Sequence, residues 1–159
     1  MRPLPQQRIS RKALKVWSMT AAIPFIIIWV LYIGYIVLSV RFGLPGWIAA
    51  ASGAALAVLS FLFVFLLPKI RWRRWRYEVH ENEIDLQRGV WIVKRTLVPM
   101  VRVQHVDTEQ GPFLRRYGLA TVIISTAATV HEIPALALEE ADGLRDRISE
   151  LARVAKDDV

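Results

Sequence analysis

Two long apolar runs without a charged residue occupy the first half of the chain. Residues 16–40 and 42–67 contain no Asp, Glu, Lys or Arg. A helix that crosses a hydrocarbon core of about 30 Å needs about 20 mostly apolar residues, so each run is long enough. The break at residues 41–46 contains Gly43, Pro45 and Gly46, which favour a tight connection. The pattern therefore predicts a transmembrane hairpin over residues 16–68, with helices at about 17–40 and 46–67.

A cleavable signal peptide is the alternative for the first apolar run. Such a peptide has an apolar region of about 7–15 residues and ends at a cleavage site with small residues. Residues 18–40 are a longer stretch, and Trp29, Tyr32 and Tyr35 lie in its second half. We therefore predict that the segment is retained as a membrane helix.

The basic residues of the first half predict how the hairpin is oriented. Eleven Lys and Arg precede Glu78, the first acidic residue: five in the N-terminal segment 1–15, Arg41 in the loop, and five in segment 69–76. Loops on the cytoplasmic side of a membrane carry the excess of Lys and Arg. We therefore predict a multi-pass protein of the plasma (inner) membrane of a bacterium, with both termini in the cytoplasm.

Basic residues alternate with tryptophans in the juxtamembrane segment 69–76. The same mixture is found in proteins that bind single-stranded nucleic acid, where aromatic side chains stack on the bases. Next to a membrane helix, however, Trp favours the headgroup level and Lys and Arg attract anionic lipid. From residue 77 onward the chain has ten basic and fourteen acidic residues, a net charge of −4, unlike a nucleic-acid-binding domain. We predict no nucleic-acid partner and non-specific contact with anionic membrane lipids through Lys69, Arg71, Trp72, Arg73, Arg74, Trp75 and Arg76.

Small residues recur every fourth position in the second apolar run, and such lines allow helices to pack closely. One line is Gly46, Ala50 and Ala54, and the next is Ala49, Gly53 and Ala57. The first helix of the same hairpin or a helix of another subunit could pack there, and the sequence leaves both open. Neither run contains the ionisable groups on which ion and proton pathways usually depend.

The second half of the chain has the pattern of short strands followed by one helix. The predicted strands are residues 77–80, 83–88, 90–98, 101–108, 120–126 and 131–133. Strands at intervals of about 8–12 residues indicate an antiparallel sheet, sandwich or barrel. Apolar residues then recur at helical spacing, which predicts a C-terminal amphipathic helix whose buried face is Ala141, Leu144, Ile148, Leu151 and Ala155.

Three short motifs in this half carry a resemblance to a known family. Gln104-His105-Val106 is followed by Gly111-Pro112 and then by Tyr117-Gly118-Leu119-Ala120. With the preceding two-helix hairpin, this series resembles the bacterial PH-like domain membrane proteins of the YdbS type, over essentially the whole chain. The resemblance implies an α+β fold, in which the hairpin precedes a PH-like antiparallel β-sheet or barrel over residues 77–159, closed by the C-terminal helix. The family-motif residues are Gln104, His105, Val106, Gly111, Pro112 and Gly118.

The chain departs from the family pattern at its last predicted hairpin. Residues 127–129 lack the glycines usual there, and Pro134-Ala135-Leu136 stands where Pro-Gly-Leu is more common. These departures leave the geometry of that hairpin open, while the implied fold is unaffected.

Catalytic and metal-binding patterns are weak along the whole chain. With no cysteine, the chain has no disulfide and no thiolate chemistry, and the spacing of its three histidines matches no metal motif. His105 and Asp107 share a strand face and could form an acid–base pair, but no serine lies in a nucleophile motif. The resemblance also points to Arg88, Lys94 and Arg95, beside a hairpin where eukaryotic PH domains often bind inositol phosphates. We predict no catalytic residue, metal or cofactor.

Three functions follow from these observations. The first is a non-catalytic, membrane-anchored PH-like interaction or scaffold module at the cytoplasmic face, which binds a protein partner or itself. The alternative is an accessory subunit of a membrane transport or envelope-lipid complex that docks through its transmembrane helices. The third is an enzyme that uses His105.

Overall fold

The computed structural model describes residues 3–157 and divides the chain into two compact units. The helical unit is Trp17–Ile70. The β unit combines two separate stretches, Met1–Val16 and Arg71–Val159, of which residues 1–2 and 158–159 lie outside the described range. The predicted boundaries at residues 15, 68 and 76 remain predictions.

Two helices make up the first half of the fold. Helix α1 is Ala13–Arg41, and the second helix runs over Gly46–Arg74 as α2 (Gly46–Phe61), a π-helical segment (Leu62–Leu66) and α3 (Leu67–Arg74). Both are long and apolar enough to cross a membrane, and none of the most apolar stretch of either is buried within the protein. A core helix of a soluble protein would be mostly buried, so these exposed apolar faces suit a lipid surrounding.

Contacts between α1 and α2 use one of the two small-residue lines. The Tyr32 hydroxyl donates a hydrogen bond to the backbone oxygen of Ala49, and a Cβ on Gly53 would lie 2.7 Å from that hydroxyl. Trp29 Nε1 donates to Ser60 Oγ at 3.1 Å. Ala49 and Gly53 are half-buried, whereas Ala57 is exposed, as are Gly46, Ala50 and Ala54. Ala49 and Gly53 therefore pack within the hairpin.

Two antiparallel three-stranded sheets form most of the β unit. The first has the order β1 (Arg76–Val79), β2 (Glu83–Arg88) and β3 (Lys94–Pro99). After a 3-10 turn at Met100–Arg102, the second has the order β4 (Val103–Glu109), β5 (Leu119–Thr126) and β6 (Val130–Ala137). Helix α4 (Pro112–Arg116) connects β4 to β5, and α5 (Leu138–Asp157) follows β6. The predicted α+β fold class is confirmed.

The core lies between the sheets and α5. Alternate residues of the strands are buried, as the pleat requires, among them Ile84, Leu86, Val122 and Ile124. Helix α5 buries Ala141, Ile148 and Ala152. Of the predicted helix face, Leu144, Leu151 and Ala155 are only half-buried, so the buried face is turned slightly toward Ala152.

The N-terminal segment extends the first sheet, which the sequence pattern did not predict. Gln7 and Tyr77 exchange two backbone hydrogen bonds of 3.1 and 3.0 Å at the outer edge of β1. Ser10 N donates to the oxygen of Ala135 in β6 at 3.1 Å. Ile9, which lies between Gln7 and Ser10 in sequence, is buried. The basic flank of residues 3–16 is therefore also a structural part of the β unit.

Strand β3 begins at Lys94, later than the predicted residue 90, because the chain turns back after Gly89. Gly89 has a φ of +130°, and a Cβ there would lie 1.9 Å from the backbone oxygen of Ile92. Only glycine fits this backbone conformation. Residues 89–93 consequently form a loop between β2 and β3, in which residues 91–93 are exposed.

Strand β6 continues beyond Pro134, where the predicted strand ended. It is an edge strand, so a proline can be tolerated there without the loss of an interior ladder bond. The register against β5 shifts between Ala120 and Val122, and Ala135 has a φ of +53°. Ala135 thus takes a left-handed conformation, which glycine adopts without strain.

Candidate functional site

The two juxtamembrane tryptophans, Trp72 and Trp75, pack within the β unit. The sequence predicts contacts with lipid headgroups for both. Trp75 is 3% exposed. Trp72 Nε1 donates 3.1 Å hydrogen bonds to the backbone oxygens of Ile9 and Ser10, and the guanidinium carbons of Arg8 and Arg11 lie 5.9 and 5.8 Å from its ring centroid. These contacts join Trp72 to the N-terminal segment of the β unit, and a membrane-interface role for Trp72 and Trp75 stays a prediction. The interfacial role of the neighbouring Lys69, Arg71, Arg73, Arg74 and Arg76 remains a prediction.

The loop between β2 and β3 presents a cluster of exposed apolar side chains. Trp91 is 88% exposed, Ile92 83% and Val93 48%. We call residues 90–93 the apolar tip. Arg88 and Lys94 lie opposite one another in the strand register at its base. The Arg74 guanidinium donates a hydrogen bond to the oxygen of Val90 within the β unit.

A cavity of about 720 Å³ lies within the β unit, and four basic side chains line it. They are Arg88, Lys94, Arg102 and Lys156. Over residues 3–157 no Asp or Glu lines this cavity, and none of the four basic groups is in an ion pair. We call it the basic cavity. The rest of its wall comes from β3, the start of β4 and the β5–β6 turn.

Two buried polar atoms of residues that line the basic cavity have no hydrogen-bond partner in the described part of the chain. These are Thr96 Oγ1 and His131 Nδ1, and His131 as a whole is 7% exposed. Burial lowers the pKa of His131 below its ordinary value, and Arg88 and Lys94 lower it further. Both effects favour the neutral imidazole, with one nitrogen as donor and the other as acceptor.

Of the three cations to which the resemblance pointed, Arg95 does not belong to this cavity. Its Nε donates to both carboxylate oxygens of Asp85 at 3.0 Å, and a terminal nitrogen donates to the oxygen of Pro3 at 2.8 Å. Asp85 is 2% exposed, so Arg95 neutralises a buried charge in the first sheet. The hydrogen bond to Asp85 is the main reason that the pKa of Arg95 is raised. Arg102 and Lys156, which do line the cavity, were missed because they are far apart in sequence.

The family-motif residues shape the connection from β4 to β5. Gly111 precedes α4, Pro112 occupies its first turn, and Gly118 follows it with a φ of +65°. Leu138 N donates to the Gly118 oxygen at 3.1 Å, which joins this turn to the start of α5. The glycines and the proline thus begin and end a short helix.

The Gln-His-Val part of the motif lies on β4 and has mixed surroundings. Gln104 lines the basic cavity, Val106 is half-buried, and His105 is exposed opposite Ser125. Asp107 is exposed on the same strand. Within residues 3–157 no group of three or more His, Asp or Glu could hold a metal ion.

Two membrane-capable helices, joined to a unit of two antiparallel sheets and a C-terminal helix, define a membrane-associated α+β protein. The sequence model described as "Bacterial PH domain" matches residues 16–152. The chain belongs to this bacterial PH domain family.

Two proteins of Bacillus subtilis (strain 168) are similar to the chain. The UPF0699 transmembrane protein YdbS is 55% identical over 159 residues, which cover both proteins in full. The UPF0699 transmembrane protein YdbT is 26% identical over 96 residues, which are 57% of this chain and 20% of that protein. No solved structure matches the chain.

Proposed function

We propose that the chain is a non-catalytic, membrane-anchored interaction module whose β unit works at the cytoplasmic face of the plasma membrane. There the unit contacts anionic lipid without headgroup selectivity and binds a protein partner or a second copy of the chain. The unequal distribution of basic residues supports this orientation, because the two flanks each carry five and the loop carries one.

The apolar tip is the observation that carries the proposal. Among the described residues, Trp91 and Ile92 have the most exposed large apolar side chains, which would be unfavourable in a soluble protein unless a partner or a membrane covered them. Tryptophan favours the headgroup level of a bilayer. The basic side chains of Arg88 and Lys94 would each contribute about 1 kcal/mol of electrostatic attraction to anionic lipid. Because the exposed apolar side chains lie next to these basic residues, we infer that the tip enters the inner leaflet.

A depth measurement tests the contact with lipid. The chain has no cysteine, so Val93→Cys offers a single labelling site that keeps Trp91 and Ile92. The matched control is Glu81→Cys in the turn at the other end of β2, about 20 Å away at about 3.3 Å per residue. We expect spin-labelled lipids in nanodiscs to quench a fluorophore at residue 93 and not at 81, and Trp91→Ser to weaken the quenching. Equal quenching at the two positions would show that the tip does not enter the leaflet.

Labelling of intact cells tests the orientation. Leu44→Cys places a thiol in the loop between the helices, and Ser149→Cys places one on the exposed side of α5. A membrane-impermeant maleimide should label residue 44 in intact cells and residue 149 only after lysis. Labelling of residue 149 in intact cells would contradict the orientation that we propose.

The alternative function is that of an accessory subunit in a membrane transport or envelope-lipid complex. The exposed line of Gly46, Ala50 and Ala54 favours this candidate, because small residues allow a further helix to approach closely. The native mass of the detergent-extracted complex tests whether the partner is a second copy of the chain or a different protein. A mass that is a multiple of 18.2 kDa indicates self-association, whereas any other protein mass indicates a different partner.

A further inference from the structure

We propose that the outer edge of β4 binds an extended segment of a partner protein as an additional strand. The segment that fits has an apolar side chain between acidic residues on the face toward α5, and basic residues on its other face. This inference rests on the proposed function, in which the β unit binds a protein partner, and it names the surface and the kind of segment that binds there.

The outer strands of the two sheets, β1, β3, β4 and β6, differ in how their edges are protected. An edge strand leaves backbone N–H and C=O groups open to pairing with another chain, and a proline or a covering segment prevents this. β1 pairs with Gln7, β3 contains Pro99 and β6 contains Pro134. β4 has no proline, and within residues 3–157 no backbone–backbone hydrogen bond joins residues 104–109 to a segment other than β5. β4 is therefore the edge most open to another strand.

The geometry of β4 suits such pairing over its second part. Its register with β5 shifts between Val103 and His105 and is regular over residues 105–109. In an antiparallel ladder, every second residue of an edge strand directs its N–H and C=O away from the partner strand. An extended segment beside β4 would form backbone hydrogen bonds with these groups, and the side chains on its two faces would decide which segment binds.

A small groove beside β4 forms one of these two faces. It has a volume of about 180 Å³, and every residue that lines it belongs to β4 or α5, so it runs along β4. Small-molecule sites are commonly about 300–1,000 Å³, whereas this groove suits a single side chain. Val103, Val106 and Ala152 make its wall apolar, and the small side chain of Ser149 leaves it open. We call it the β4 groove.

The charges on the two faces determine which segment fits. Arg153 and Lys156 line the β4 groove, and no Asp or Glu of the described chain does. Asp107 and Glu109 are exposed on the other face of β4, because they alternate in sequence with Val106. Opposite charges that face each other across two strands stabilise the pairing, and like charges destabilise it. Acidic residues toward α5 and basic residues on the other face therefore complement this edge.

The test uses the full-length protein in nanodiscs of phosphatidylcholine, a neutral lipid, and a fluorescent probe peptide with both ends blocked, Arg-Glu-Thr-Leu-Thr-Glu-Arg. In an extended conformation the leucine and the two glutamates of this probe share one face. Two further forms carry N-methyl groups, one at those three residues and the other at the arginines and threonines. Because strand pairing uses every second amide, we expect one N-methylated form to lose at least about tenfold in affinity and the other to stay within about twofold.

The site variant is Arg153→Glu and its control is Arg147→Glu. Both make the same charge change at exposed positions of α5, and only Arg153 lines the groove. We expect the affinity for the probe, measured by fluorescence anisotropy, to fall at least about fivefold in Arg153→Glu and to stay within about twofold in Arg147→Glu. Of two probes in which Lys replaces one Glu, one should bind Arg153→Glu more tightly than it binds the parent. Damage to the fold does not produce such an exchange of preference.

Ser149→Trp provides a second variant, because it places a large ring over the groove from an exposed position of α5. We expect it to weaken binding at least about tenfold. An unchanged affinity, or equal losses in Arg153→Glu and Arg147→Glu, would contradict the proposed site.

Hydrogen exchange in residues 105–109 identifies what covers this edge. We expect the probe to slow exchange there and to leave β3 unchanged. Slow exchange without the probe that depends on protein concentration would show a second copy of the chain on β4 and contradict the partner that we propose. The inference also fails if the probe does not bind saturably up to on the order of 1 mM, or if both N-methylated forms bind alike. Either failure leaves the lipid quenching at residue 93 and the native mass of the complex unchanged, so it is distinct from a failure of the proposed function.

Discussion

The Tyr77 hydroxyl donates a 2.8 Å hydrogen bond to Oε1 of Glu140, which joins β1 to the first turn of α5. The same residue exchanges two backbone hydrogen bonds with Gln7, and its side chain is 1% exposed. One buried residue therefore connects the N-terminal segment through its backbone and the C-terminal helix through its side chain to the first sheet of the β unit.

Tyr77→Phe tests this connection, because it removes the hydroxyl and leaves the ring in place. We expect the free energy of unfolding of the β unit to fall by about 1–2 kcal/mol, since a buried hydrogen bond to a charged acceptor is lost. Glu140→Gln, which keeps an acceptor, should lose less. Thermal unfolding of the solubilised protein, with hydrogen exchange in β1 and α5, measures both effects. Equal stability of Tyr77→Phe and the parent would show that the bond contributes nothing.

The same residue predicts how stability depends on alkaline pH. Burial first, and then the bond to Glu140, raise the pKa of Tyr77 above its ordinary value. The folded protein therefore keeps this proton at a pH where the unfolded chain loses it, and the stabilisation is fully present below about pH 10 and declines above it. We expect the difference in melting temperature between the parent and Tyr77→Phe to be smaller at about pH 11 than at about pH 8. A constant difference would contradict this linkage.

Ala135 is a position where glycine should be accepted, although its side chain is fully buried. Among the described residues it is the one residue other than glycine with a positive φ, and this conformation costs an L-residue about 1–2 kcal/mol. Ala135→Gly removes that strain and loses a buried methyl group worth about 0.8 kcal/mol. We expect its free energy of unfolding to stay within about 1 kcal/mol of the parent.

The matched control is Ala120→Gly, which removes another fully buried methyl group in the neighbouring strand. Ala120 has no left-handed strain to release, so this variant should lose about 1–2 kcal/mol. If both variants lost the same stability in chemical unfolding, the left-handed conformation of Ala135 would carry no measurable strain.

The sequence predicts those parts of the fold that local patterns determine. The charge-free runs located both long helices, and the alternation in residues 83–88 located β2 as observed. Contacts between segments that are distant in sequence were not predicted, because a local pattern of apolar residues carries no information about them. Gln7, for example, pairs with Tyr77, and both membrane-capable helices lie between these residues in sequence. Trp75 was assigned to lipid since its neighbours are basic, and only the packing of the β unit shows that its ring is buried.

The candidate site illustrates the same limit. Arg88 and Lys94 stand close together in sequence and were recognised as possible anion contacts. Arg102 reaches the same cavity through the turn between the two sheets, and Lys156 reaches it from the end of α5. Neither position has a sequence signal of its own, because the cavity exists only once sheet and helix have packed.

The N-terminal segment should be required for the stability of the β unit. Ile9 is 2% exposed, its backbone oxygen accepts from Trp72, and the next residue, Ser10, bonds to both Trp72 and β6. Ile9→Asp would bury an unpaired charge, so we expect a loss of several kcal/mol, seen as faster hydrogen exchange in β1 and β6. Leu4→Asp makes the same change at a residue that is 55% exposed and should have little effect. Equal behaviour of these variants would mean that residues 3–16 are not part of the folded unit.

The packing of α1 against α2 gives the last prediction, which distinguishes the two uses of the small-residue lines. A side chain at residue 53 would collide with the Tyr32 hydroxyl, so Gly53→Val must displace that ring and break its hydrogen bond to Ala49. We expect a loss of about 1–3 kcal/mol, the usual effect of overpacking, measured as a lower melting temperature of the helical unit in detergent. Ala54→Val adds comparable bulk on the exposed line and should leave that temperature unchanged. If another subunit packs on this line, Ala54→Val should instead lower the native mass of the extracted complex while the isolated hairpin stays stable. A Gly53→Val protein as stable as the parent would show that α1 and α2 do not depend on close approach at this position.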